Sequence, residues 1–144
     1  MESLQDSLGF MLNVAARQMR RALVQRLNAF GLTPTQYITL WSLYECGEEI
    51  PQSQLGKKLF LDNPTMTGII DRMERDGFLE RVPDENDRRV IKVRLTKKSK
   101  TLRGQIEEIA TEIDQRTAKM LNESVYNQTL EILRRLTLHG HENK

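Results

Sequence analysis

Residues 63–95 read NPTMTGIIDRMERDGFLERVPDENDRRVIKVRL, and the spacing inside this stretch decides the fold. Asn63 has a helix-capping side chain, and Pro64 at the first helical position leaves no N–H without a partner. Met66, Ile69, Ile70 and Met73 fall at i, i+3, i+4 and i+7, one apolar stripe of helical period. The other face carries Thr65, Thr67, Gly68, Asp71, Arg72 and Arg75. Gly77 stands where such a helix needs a left-handed residue to stop. Leu79 to Val82 then reads as a short strand, and Ile91, Val93 and Leu95 alternate with Lys92 and Arg94 as a half-buried strand does. Between the strands, Pro83-Asp84-Glu85-Asn86-Asp87-Arg88-Arg89 sets turn formers ahead of two guanidiniums. A helix with a polar outer face followed by a cationic hairpin suits a module that presses a helix into a DNA groove and lays the hairpin alongside.

The flanking sequence continues in helices. A first helix is expected from about Leu4 to Phe30, with Leu8, Met11, Ala15, Met19, Ala22, Leu27 and Phe30 near one face and Gly31 ending it. Thr33-Pro34 has the chemistry to open a second helix through about Glu45, which Gly47 closes. Ile50-Pro51 reads as a very short strand, Gln52 to Phe60 as a third helix, and Leu61-Asp62 as the tight turn into the Asn63 helix. Gln52 to Gly77 is therefore a helix-turn-helix, and the strand pair makes it a winged one. Beyond the wing, Thr96 caps a long helix to about Asn122, with Leu102, Ile106, Ile109 and Ile113 on one side. A last helix runs from about Glu123 to Leu138.

The expected fold is mainly α with a small β wing, a single domain over 1–144. Its winged-helix part covers about 33–96, and long helices at about 1–31 and 97–140 flank it. Their apolar stripes have no strands to pack on; they either fold back on the module or pair with the same helices of a second copy, and pairing is the preferred expectation. A twofold dimer sets two recognition helices about one DNA turn apart, as a palindromic operator requires.

Composition narrows the class. The chain has 144 residues, 29% of them charged, and a net charge of +2. No apolar run approaches the roughly 20 residues that cross a bilayer, so no membrane partner is expected. The start, MESLQDS, lacks the basic and apolar regions of a signal peptide, and the cytoplasm is the expected compartment. One cysteine, Cys46, excludes an internal disulfide framework. Positive charge is concentrated: residues 52–104 hold 13 Lys and Arg against 8 Asp and Glu, while the remainder holds 9 against 12. Phosphate neutralisation supplies most non-specific nucleic-acid affinity, so this asymmetry says more than the total.

With those residues in view, the chain resembles the MarR family of bacterial winged-helix transcription regulators along nearly its full length. GFLERVPDENDRRVIKVRLTKKSK is similar to the family's wing signature: Gly, two hydrophobics, any residue and Arg, then Asp-Arg-Arg, then a strand ending Leu-Thr. LFLDNPTMTGIIDRME is similar to its recognition-helix region. The resemblance implies an obligate homodimer, an operator of twofold character, and repression relieved by a small molecule or an oxidant. Two departures stand out. Ser99 occupies a position where many members carry Gly, and residues 6–19 lack the thiol that peroxide-sensing members carry near the start of the first helix.

The candidate DNA contacts are Ser53, Thr65, Thr67, Arg72, Asp87, Arg88 and Arg89. Hydroxyls at Thr65 and Thr67 suit phosphates or base edges, and the Arg72 fork matches guanine O6 and N7. Of Arg88 and Arg89, one would enter a narrow minor groove while the other pairs with Asp87 to stiffen the hairpin; the sequence leaves the assignment open. Ser53, with Gln52 and Gln54, opens the third helix, where N–H groups can meet a phosphate. Lys92, Arg94, Lys97 and Lys98 read as phosphate contacts or a solvated flank.

Phe10, Met11, Tyr37, Trp41 and Tyr44 are the candidate lining of a pocket for a small aromatic or amphipathic effector, although an aromatic stripe at this spacing is more often plain core. No cofactor or metal site is expected: His139 and His141, beside Glu142 in the tail, have no further ligand in view. Two other uses suit these residues, a thiol sensor through Cys46 and a winged helix for protein contacts without specific DNA binding. An enzyme is poorly supported, because the cysteine has no nearby His and no Gly-rich phosphate loop occurs.

Overall fold

The computed structural model describes residues 3–142, and side chains through residue 140. The element order is α1 (Leu8–Leu27), α2 (Pro34–Glu45), β1 (Glu49–Pro51), α3 (Gln52–Lys58), α4 (Asn63–Arg75), β2 (Leu79–Pro83), β3 (Ile91–Leu95), α5 (Lys97–Thr101), α6 (Arg103–Leu121) and α7 (Glu123–Glu142). Two compact units emerge, Met1–Glu107 and Glu108–Lys144, with the division inside α6. No described helix is long and apolar enough to cross a membrane.

The fold is mainly helical with one small antiparallel sheet, as expected. Its strand order is β1-β3-β2. Leu79 pairs with Leu95, Arg81 with Val93 and Pro83 with Ile91, while Ile50 of β1 pairs with Val93 from the other side. Pro51 cannot donate to a ladder, and it lies on an edge strand, where that omission is tolerated. The first unit's core takes Leu27, Leu40, Leu43, Leu55, Leu79, Val93 and Leu95, each at most 2% exposed. The α4 stripe joins them: Met66, Ile69, Ile70 and Met73 are all buried. Each such side chain contributes about 1.5–3 kcal/mol of transfer free energy, which orients α4 with its polar face outward.

Several boundaries differ from the sequence reading, each for a local reason. The cap of α4 is Asp62, not Asn63. Asp62 is extended (φ −71°, ψ 163°), and its carboxylate accepts from the Thr65 N–H at 2.7 Å. Asn63 is therefore the first helical residue and Pro64 the second, still among the positions whose N–H has no intrahelical partner. The first helix is not continuous from Leu4 to Phe30. A 3-10 turn at Leu4–Asp6 precedes α1, which Ser7 caps, and a second at Asn28–Phe30 tightens its end before Gly31 turns left-handed at φ 65°. The third helix stops at Lys58, because Phe60 takes a left-handed conformation (φ 57°) that no helix interior accepts. The helix after Thr96 breaks at Leu102 into α5 and α6, and the last helix extends past Leu138 to Glu142.

The tight approach of α3 to α4 depends on Gly56, where a Cβ would lie 3.2 Å from the Leu61 carbonyl oxygen. The capping assignment has a direct check. Asp62→Ala should lower unfolding free energy by about 1 kcal/mol, as loss of a helix cap does, whereas Asn63→Ala should stay within about 0.5 kcal/mol of the parent. Chemical denaturation of the two variants measures both.

Candidate nucleic-acid interface

The outer face of α4 is open. Thr65, Thr67, Asp71, Arg72 and Arg75 are all exposed. Beside Gly68 a Cβ would meet nothing within 4 Å, so the backbone there is bare to an approaching surface. Thr67 is held from the side: Gln52 Nε2 donates to its Oγ1 at 3.1 Å. That leaves the Thr67 O–H free to donate outward, because a hydroxyl carries one donor besides its acceptor lone pairs. Ser53 is exposed on the first turn of α3, but the cap position is Pro51 and no side chain bonds the turn. Gln52 is engaged inside the protein and is not a free groove contact.

Arg81 on β2 organises this surface. Its Nη2 lies 2.7 Å from Asp71 Oδ1 and its Nη1 3.2 Å from Glu74 Oε1, both on α4. Its Nε donates to Gln52 Oε1 at 3.2 Å, its Nη2 also reaches the Thr67 carbonyl at 3.4 Å, and its backbone N–H donates to Glu74 Oε2 at 3.0 Å. One guanidinium thus ties α3, α4 and β2 together. The sequence marks Arg81 only as a letter of the wing signature, since its partners are 7 to 29 residues distant.

The wing tip is built on two carboxylates. Asp84 Oδ1 accepts the backbone N–H groups of Asn86 at 2.8 Å and Asp87 at 3.0 Å, folding the turn. Asp87 holds Arg89 by both edges, Oδ1 to Nε at 3.0 Å and Oδ2 to Nη2 at 3.1 Å. Of the two tip arginines Arg89 is the one that pairs with Asp87, and its side chain is still 92% exposed. Arg88 is exposed and makes no hydrogen bond or ion pair among the described residues. The Asp87 carboxyl is held below its ordinary value, first by the Arg89 side chain and then by the Arg89 N–H. A depressed carboxyl keeps its partner at neutral pH and loses it only as pH falls through the lowered value, so the tip stays paired above the usual carboxylate range. Further back, Lys92 pairs with Glu49 at 2.9 Å and Arg94 with Glu80 at 2.8 Å, so both sit in ion pairs on the sheet.

The five candidate effector residues part company. Tyr44 belongs to the core: it is 5% exposed, its hydroxyl donates to the Ser99 carbonyl at 2.6 Å, and burial raises its pKa to about 12. Tyr37 is also buried, its ring 6.4 Å from that of Trp41. Trp41 is half-buried and donates to Glu45 at 3.1 Å. Phe10 and Met11 on α1 are 37% and 42% exposed. Cys46 is half-buried at the end of α2, beside the Lys58 ammonium, which pairs with Glu45 at 2.9 Å. No cluster of metal-binding side chains occurs among the described residues. The side chains of His141 and Glu142 lie outside them.

A buried-stripe helix with an open polar face, braced against a cationic hairpin, defines a winged helix-turn-helix DNA-binding transcriptional regulator. The MarR family model matches residues 32–91. A probable transcriptional regulator from Pseudomonas aeruginosa is 30% identical, with 93% of this chain and 99% of that one covered at a TM-score of 0.80. A mutant MarR from E. coli complexed with operator DNA is 25% identical over 90% of this chain and 92% of that one, at a TM-score of 0.81. The HTH-type transcriptional regulator SarZ of Staphylococcus epidermidis is 27% identical over 110 residues, 76% of this chain and 74% of SarZ. The chain belongs to the MarR family.

The wing-tip geometry carries a prediction. Exposed ion pairs contribute little stability, a median of about 0–1 kcal/mol, so Asp87→Ala and Arg89→Ala should each leave the melting temperature nearly unchanged. If Asp87 acts by orienting Arg89, each single change weakens DNA binding and the double change is no worse than Arg89→Ala alone. Fluorescence anisotropy on the four proteins of that cycle tests it.

Proposed function

We propose that this protein is a sequence-specific repressor that binds a palindromic operator as a homodimer and is released by a small aromatic or amphipathic effector. One observation carries the DNA-reading part: the Asp87-held Arg89 and the unpaired Arg88 project from a wing that Arg81 fixes beside the open face of α4. Thr65 and Thr67 would meet the major groove, Arg72 the DNA backbone at its edge, and the wing-tip arginines the flanking minor groove, where a narrow A·T tract concentrates negative potential. Holding Arg89 in advance lowers the ordering cost of insertion. The E. coli MarR complexed with operator DNA supports the same use here.

Dimerisation is supported by what the single chain leaves uncovered. Over the 20 residues of α1 only Leu27 is buried, while Leu8, Phe10, Met11, Leu12 and Met19 are exposed. In the second unit Val125, Ile132, Leu136 and Leu138 of α7 are exposed too. Apolar helix faces of this length call for a second copy. For the effector, the exposed Phe10 and Met11 and the half-buried Trp41 are the residues still free to line a pocket.

The test combines mass and salt dependence. Light scattering should report twice the chain mass. Affinity for duplexes selected from a random pool should fall linearly on a log–log plot against salt, with several phosphates' worth of slope, and exceed affinity for random duplex by at least about a thousandfold. A stable single chain, or equal affinity for selected and random duplexes, contradicts the proposal.

A further inference from the structure

An open cleft of about 580 Å³ lies in the first unit between α1, the start of α2 and α4. Its rim carries three guanidiniums: Arg20 from α1, and Arg72 and Arg75 from α4. Arg75 lies 3.2 Å from the one acid in the lining, Asp76. Arg20 and Arg72 make no hydrogen bond or ion pair among the described residues, and both are exposed. Two unpaired cations from different helices thus share one hollow, an arrangement that favours an anion between them. Thr65 adds a hydroxyl at the same rim.

We infer that this cleft seats a backbone phosphate of the bound DNA, with Arg20 of α1 joining Arg72 as its ligands. The inference rests on the DNA-binding reading and extends it to a helix otherwise assigned to dimerisation. The occupant is a nucleic-acid phosphate because the rim is continuous with the exposed face of α4, through the shared Thr65 and Arg72. A strand passing that face brings its oxyanions within reach of a fork on each side, the geometry in which arginine binds phosphate most strongly. A phosphate contact positions the protein without reading sequence.

Arg20→Gln distinguishes the possibilities. Arg20 is exposed, so the variant should melt with the parent protein. Its affinity should fall by the same factor for selected and for random duplex, roughly tenfold at 0.1 M salt, and the log–log salt slope should shrink by about one for each seat engaged. Arg17→Gln, one turn earlier and outside the cleft, should keep the parent slope. A folded Arg20→Gln protein with unchanged affinity and slope overturns the inference, whereas failure of the parent protein to bind any duplex overturns the DNA reading itself. In a second arm, sodium phosphate is titrated into the free protein by thermal shift. No saturable response is expected at millimolar concentrations; one that Arg20→Gln abolishes would hand the cleft to a free anion and contradict the DNA assignment.

Discussion

The guanidinium of Arg81 is the joint on which the DNA-reading surface depends. Hydrophobic burial fixes which side of α4 faces inward, but burial is non-directional and would tolerate some rotation of the helix about its axis. Arg81 removes that freedom. Its fork reaches Asp71 and Glu74 on α4, Gln52 on α3 and the Thr67 carbonyl, while its own backbone belongs to the sheet. Asp71 and Glu74 are well solvated, so the individual ion pairs contribute little to global stability. Their effect is geometric: they tie the helix to the wing strand, and Gln52, bonded to Arg81, donates to the Thr67 hydroxyl in turn.

The back of the same assembly is pinned by side chains from α5 and from Thr96, which caps it. Thr96 Oγ1 donates to the Gly77 carbonyl at 2.6 Å, Lys98 Nζ to the Asp76 carbonyl at 2.9 Å, and Ser99 Oγ to the Phe78 carbonyl at 2.5 Å. These carbonyls belong to the turn from α4 into β2, and that of Phe78 also accepts the Thr96 backbone N–H at 3.2 Å. Ser99 is fully buried here. Its hydroxyl therefore has a definite role at a position where a glycine would leave the Phe78 carbonyl without this donor. The module is braced in front by Arg81 and behind by α5, and its cations at the wing tip stay free of the core.

Much of this was legible in the residues, and the exceptions share a cause. The α4 stripe, the Thr33 cap and the helix stops at Gly31 and Gly77 are local, and each appears as expected; of the alternating β3 residues Val93 and Leu95 are buried, but Ile91, next to the hairpin tip, is 41% exposed. The cap of α4 was misplaced by one residue because Asp62 and Asn63 have equal capping chemistry. The left-handed Phe60 ahead of them was not visible from composition. Tyr44 and Tyr37 are buried, as the plain-core reading of the aromatic stripe expects, but periodicity could not name the partner of the Tyr44 hydroxyl, Ser99, 55 positions away. Arg81 and Arg20 share that limit, since a cation's role is set by what the fold brings to it.

The most direct test of the account is the ratio of operator to random-duplex affinity for Arg81→Met, measured alongside its thermal unfolding. Methionine keeps an unbranched apolar stem and removes the fork. The expected result is a folded protein that keeps most of its salt-dependent affinity for random duplex and loses at least about tenfold in discrimination, or about 1.4 kcal/mol. A folded Arg81→Met protein with undiminished discrimination would contradict it, because helix and wing would then be aligned by something other than this joint.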